Sequence, residues 1–201
     1  MRADAPADAG VKLLSVGAPA IKKATYQDLL NVPANLVAEL IHGVLHTLPR
    51  PRMVHSRAAS RLGVVIGGPF DIGTGGPGGW LIIDEPELHL GEEVLVPDLA
   101  GWRRTRMPEL PDTASTNVAP NWACEVLSPS TTAIDRTEKV PIYAEHGVAH
   151  VWLIEPSLTT LEVFRLDGPT YRLVGTWTGS ARVRAEPFDE VELDLGMLWA
   201  R

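Results

Sequence analysis

Three residues near the middle of this chain have side chains suited to metal and phosphoester chemistry. Asp98 follows Pro97, Glu125 lies in Trp122-Ala123-Cys124-Glu125-Val126-Leu127, and Lys139 comes four residues after Asp135. An ionised carboxylate among apolar neighbours is costly unless it is paired, hydrogen-bonded or bound to a metal. Two carboxylates brought together also repel one another. A hard divalent cation such as Mg²⁺ relieves that repulsion, taking oxygens at about 2.0–2.1 Å and keeping several waters. A lysine beside such an ion can orient an attacking water. The residues alone leave a plainer account open: Asp98 ends a strand, Glu125 pairs with a buried arginine, and Lys139 makes an i to i+4 surface pair with Asp135 worth about 0.3–0.5 kcal/mol.

The elements that must carry these side chains can be read from periodicity. Residues 94–102 and 122–127 read as short strands, which places Val94, Val96, Asp98 and Ala100 on one face and Ala123, Glu125 and Leu127 on one face. Asp135 with Glu138 three positions later predicts a capping box opening a helix that Gly147 ends, with Pro141 kinking it or delaying its start. Upstream, Thr25 and Asp28 predict a short helix, and Val37–Ile41 and Val44–Leu48 a hairpin turning at His42-Gly43. Apolar residues at three- and four-residue intervals from Val54 to Ile66 predict an amphipathic helix with His55 in its first turn. The glycine-rich stretch 67–79 reads as a loop leading to strands at about 80–84 and 86–90. Downstream, 148–155, 160–166, 171–177 and 181–186 read as strands, and 191–199 returns an apolar edge to the core.

Composition excludes several classes. With 201 residues and a net charge of -7, the chain is expected to form one domain over 21–201 behind a loosely ordered tail over 1–20. It contains no run approaching the roughly 18 apolar residues of a membrane span and no signal-peptide core, so a cytoplasmic protein is expected. The single cysteine, Cys124, excludes intramolecular disulfides and multi-cysteine zinc sites, and on its strand it should point away from Glu125 into packing. The acidic balance argues against a surface that grips nucleic acid throughout. Arg50, Arg52, Arg57, Arg61, Arg103, Arg104 and Arg106 are candidates for a local basic rim. His42 and His46 lack a third ligand at useful spacing, the glycine stretch lacks a Gly-Lys-Ser/Thr ending, and Ser128 and Ser130 lack a nucleophile-elbow setting.

Taken together, Pro97-Asp98, Glu125-Val126-Leu127-Ser128-Pro129-Ser130, Asp135 with Lys139, Tyr143, Gly147-Val148, Trp152-Leu153-Ile154-Glu155-Pro156 and the upstream Glu39-Leu40-Ile41-His42-Gly43 with His55 resemble the Uma family, a branch of the PD-(D/E)xK nuclease superfamily. The resemblance spans roughly residues 25–199. It implies an α/β (α+β) fold, restriction-endonuclease-like, with a central mixed sheet flanked by helices, an N-terminal hairpin and C-terminal antiparallel strands. It also implies a metal-dependent endonuclease acting on DNA, with Mg²⁺ (or Mn²⁺) held by Asp98, Glu125 and the Val126 carbonyl, and with Glu39 and His55 as further site residues. The superfamily lysine lies two residues after the Glu, where this chain has Leu127, so the resemblance assigns the role to Lys139 on the following helix. Cutting both strands takes two sites, which a homodimer would supply. The alternatives are a binding module that keeps the fold without cleaving, and a hydrolase of another phosphoester.

Overall fold

The computed structural model describes residues 23–48 and 50–200; the tail expected over 1–20 lies outside them. The chain opens with helix α1 (Tyr26–Leu30), whose capping box joins Thr25 and Asp28, followed by the hairpin β1 (Val37–Ile41) and β2 (Val44–Leu48). The hairpin turns at His42 (φ 52°) and Gly43 (φ 74°), the left-handed geometry that a two-residue hairpin loop requires. Helix α2 (Met53–Ile66) buries Ala58, Leu62 and Ile66 and then continues as a wide π-type turn over Gly67–Ile72. The first part of the expected glycine loop is therefore helical, and Phe70, which it buries, supplies the reason.

Strands β3 (Trp80–Asp84), β4 (Glu87–Leu90), β5 (Glu93–Leu95) and β6 (Leu99–Arg103) follow, then β7 (Ser115–Thr116) and β8 (Trp122–Val126). The single strand expected over 94–102 is two strands in different sheets. β2-β1-β5-β4-β7 form a five-stranded sheet, and β11-β10-β9-β8-β6-β3 form a six-stranded one. The chain crosses from one to the other at Val96, Pro97 and Asp98. Pro97 has no N–H to give a ladder, and the backbone of Val96 bonds to side chains: its N–H donates to Glu39 Oε1 at 2.8 Å and its carbonyl accepts from Lys139 Nζ at 3.4 Å.

After β8 the chain crosses over to β9 (His150–Glu155), which pairs with it in parallel, and a parallel pair needs such a long connection. The crossover holds α3 (Thr132–Ile134), a π-type turn over Asp135–Lys139 and α4 (Val140–Glu145). Helix formation thus begins before Asp135. The Thr131 and Thr132 N–H groups and the Thr132 hydroxyl all bond to the Ser128 carbonyl, so Asp135 is an interior, buried residue and the capping box expected there is absent. Pro141 cannot donate to a preceding carbonyl. The turn widens just before it, with the Val140 N–H reaching back to Asp135 O, and Gly147 (φ 70°) follows the helix end as expected. The remaining elements are β10 (Thr160–Asp167), β11 (Thr170–Thr178), β12 (Arg182–Val183), β13 (Leu193–Asp194) and α5 (Gly196–Trp199). The strand expected over 181–186 shrinks to two residues paired with β13.

The central strands β6, β8 and β9 of the six-stranded sheet are buried on both faces. On one, Trp122, Cys124 and Val126 of β8 pack against Ala58, Leu62 and Ile66 of α2 and Leu198 of α5. On the other, Ala123, just past-strand Leu127, Trp102 and Leu153 pack against Ile142 and Tyr143 of α4 and against Ile41, Leu88 and Leu95 of the second sheet. No helix among the described residues is long and apolar enough to cross a membrane.

Phe188 is the hub of the first face. Its ring centroid lies 4.7 Å from Phe70, 4.9 Å from Trp80, 5.0 Å from Trp122 and 5.5 Å from Trp152, with the side chain fully buried. Phe188→Ala is expected to cost about 3–5 kcal/mol, read as a lower midpoint in urea with unchanged slope; a loss below about 1 kcal/mol contradicts this account of the core.

Candidate metal and phosphoester site

The seam where the two sheets meet gathers side chains from four parts of the chain. Glu39 comes from β1, Asp98 from the crossing between sheets, Glu125 from β8, and Asp135 and Lys139 from the π-type turn before α4. Alternation along β1 sends Ile41 to the core between the sheets and Leu40 to a small cluster with Leu29 of α1. Glu39 therefore shares the inward face with Ile41 and is 1 % exposed; Glu125 and Lys139 are each 2 % and Asp135 5 % exposed.

Lys139 binds the cluster together. Its Nζ lies 2.8 Å from Glu39 Oε1, 2.9 Å from Glu125 Oε1 and 3.8 Å from Asp135 Oδ1. Burial pulls the lysine's pKa down, but Glu125, Glu39 and Asp135 more than reverse this, so it lies well above the ordinary lysine value and the ammonium stays charged. Glu125 is pushed well up, first by burial and then by Asp135, Asp98 and Glu39, despite Lys139. Asp135 is raised to about 6, again chiefly by burial.

Asp98 stands beside this group. The register of β6 on β8, with Leu99 opposite Cys124, brings Asp98 next to Glu125 and Val126, and the Val126 N–H donates to Asp98 Oδ2 at 2.7 Å. His55, in the first turn of α2, places Nε2 at 3.3 Å from Asp98 Oδ1, while its buried Nδ1 has no partner among the described residues. Burial raises the Asp98 pKa, with His55, the Val126 N–H and Lys139 pulling it back. Asp98, His55, Val126, Asp135 and Lys139 line a cleft of about 100 Å³, together with Arg52, Glu85 and Ser128. Glu39 and Glu125 sit behind the Lys139 ammonium that touches them both.

Asp98, Glu125, Val126 and Lys139 thus meet at one place with Glu39 and His55. Two more belong with them. Asp135 faces inward, and Tyr143 donates its hydroxyl to Glu125 Oε1 at 2.6 Å. The spacing of Asp135, Lys139 and Tyr143, four residues apart in turn, is the helical signal that marks them as one stripe. Leu127 lies in the apolar core, 2 % exposed, so the position two after Glu125 has no chemical part. The expected basic rim is mostly spent on structure. Arg57 and Arg61 donate to the Ala200 and Met197 carbonyls, Arg106 to those of Ala119 and Pro120, Arg104 pairs with Asp71, and Arg103 lies 4.2 Å over Trp80. Arg52 remains at the cleft. His42 is engaged by Glu93 and Glu138.

The donor chemistry suits a hard cation. Three acidic side chains share one lysine with Asp98 beside them, and a divalent ion would offset the surplus of buried negative charge. Among the described residues no group of three or more His, Cys, Asp and Glu side chains is arranged to enclose a metal. The fit is to an open set of two carboxylates and a carbonyl completed by water, the habit of Mg²⁺.

Such clustering costs stability. Because folding raises the Asp135 pKa from 3.8 to about 6, its favourable contribution is present below pH 4 and lost as pH rises through 6, a difference on the order of 3 kcal/mol. Asp135→Asn should therefore melt near the wild type at pH 4 and clearly above it at pH 8 in parallel thermal melts; a variant that melts lower at pH 8 contradicts this electrostatic account.

Comparison with known proteins agrees with this architecture. A solved structure described as a putative nuclease belonging to DUF820 from Anabaena variabilis is 23 % identical, with a TM-score of 0.64 over 87 % of this chain and 97 % of the other, a likeness of fold. No curated protein matches the sequence. Residues 24–196 match the model of the Uma2 family, described as "Putative restriction endonuclease". That match spans most of the chain and takes in every site residue named above, and the protein belongs to the Uma2 family.

Proposed function

We propose that this protein is a Mg²⁺-dependent endonuclease that hydrolyses DNA phosphodiester bonds, with Mn²⁺ as an alternative ion. One observation carries the reading: carboxylates from four parts of the chain gather around a single buried lysine at the wall of one cleft, at a cost in stability that packing alone does not call for. The family description points to the same chemistry.

In this reading Asp98, Glu125 and the Val126 carbonyl hold the ion, which when bound polarises a phosphoryl oxygen and lowers the pKa of water. The rest is done by the chain. The Val126 N–H and His55 hold the Asp98 carboxylate from two sides. Glu39 anchors the Lys139 ammonium and the Val96 backbone, so the crossing that carries Asp98 and the turn that carries Lys139 keep a fixed separation. Lys139 lines the cleft, where its charge favours the hydroxide-like water that attacks phosphorus and the negative charge that builds on the phosphoryl oxygens. Arg52 and the first turn of α2 add positive potential for a phosphate at the same mouth. Cutting both strands of a duplex would draw on the cleft of a second copy.

The test is cleavage of plasmid and single-stranded DNA with Mg²⁺ or Mn²⁺. Asp98→Ala, Glu125→Ala and Lys139→Met are each expected to lower the rate by about 10²–10⁴-fold. Lys139→Met should also melt lower because it leaves Glu39 and Glu125 without their cation, so rates are compared at a temperature where circular dichroism shows every variant folded. Wild-type protein that binds DNA without cutting it supports instead a binding module on the same fold. Full activity in Lys139→Met removes that residue from the mechanism.

A further inference from the structure

Glu125 has two oxygens, and the protein treats them unequally. Lys139 Nζ, at 2.9 Å, and the Tyr143 hydroxyl, at 2.6 Å, both fall on Oε1. A carboxylate oxygen offers two lone-pair sites, so these two donors fill it. The terminal torsion of a glutamate is broad and roughly two-fold, and backbone placement on β8 alone leaves the carboxylate plane free to turn. Two donors on one oxygen, arriving from successive positions of a single helical stripe, remove that freedom.

Tyr143 is well suited to this. It is fully buried, in the apolar cluster between the six-stranded sheet and α4, so its ring is held by packing in that core. Phenylalanine would fill the same space. What tyrosine adds is one O–H, and it donates to Glu125 Oε1. A buried hydroxyl aimed at a buried carboxylate in an apolar cluster is not required by the fold.

We infer that Tyr143 is a positioning residue: its hydroxyl, with the Lys139 ammonium, locks Glu125 through Oε1 so that Oε2 is the oxygen left for a divalent cation. The inference rests on the metal reading above. It assigns to the hydroxyl no contact with substrate or with the ion; it acts through the orientation of Glu125, as the outer partners of metal-binding carboxylates do.

The experiment is calorimetric titration of Mn²⁺ into wild type, Tyr143→Phe and a variant carrying 4-aminophenylalanine at position 143, with melting of each protein in the absence of metal. Tyr143→Phe is expected to bind Mn²⁺ about 10- to 100-fold more weakly, and the amino variant, which restores a donor, to recover to within about 3-fold of wild type, by the same argument. Unchanged Mn²⁺ affinity in Tyr143→Phe, whatever its melting temperature, overturns the inference and leaves the hydroxyl a packing detail, while the metal reading stands. Equal weakening in Tyr143→Phe and the amino variant also overturns it, because the donor would then not be what matters. Wild type that binds no Mn²⁺ fails at the earlier step and overturns the metal reading along with this one.

Discussion

Everything around the cleft depends on one ammonium held among buried carboxylates. The Lys139 Nζ reaches Glu39 on one sheet, Glu125 on the other and the carbonyl of Val96 at the crossing between them. Without that charge, glutamates at 1 % and 2 % exposure would face each other with no cation between them, an arrangement the interior does not tolerate in ionised form. The lysine is thus a structural tie and a source of field at the same point. That double use explains why the site sits at a seam: a single side chain can join two sheets only where both come within its reach.

The backbone bends to serve this arrangement. Pro97 ends ladder pairing, the chain leaves one sheet for the other, and the polar groups that the break frees are taken up by Glu39 and Lys139. The helical segment makes a similar concession. A π-type turn over Asp135–Lys139 precedes Pro141, and π-type turns inside helices recur at functional sites. In both places an irregularity that would weaken an ordinary element is compensated by side chains of the site.

Much of the framework was legible beforehand, because each element declares itself through local chemistry. The Thr25 and Asp28 cap, the His42-Gly43 turn, the three- and four-residue spacing of α2 and the apolar run of β9 are patterns of neighbouring residues, and the structure has them where they were expected. The errors fall where long-range packing outweighs local signal. Residues 94–102 alternate as one strand, yet they are divided between two sheets. Asp135 and Glu138 have capping-box spacing, yet the helix had already begun on the Ser128 carbonyl, and burial of Asp135 overrides the local preference. Phe70 draws a glycine-rich stretch into a helical turn because the aromatic cluster around Phe188 needs it.

The sequence by itself singled out the candidate residues: Asp98, Glu125 and Lys139 stood out by type, and Glu39 and His55 joined them by resemblance. It could not determine their relations, since these depend on the approach of elements far apart in the chain. Only the tertiary structure decided that Glu39 shares the lysine with Glu125, that His55 faces Asp98, that Asp135 and Tyr143 belong to the cluster, and that the arginines near α5 hold carbonyls. The physical reason is that a side chain's identity is local, whereas its partner is settled by sheet register, the crossing at Pro97 and the packing of α4 on β8.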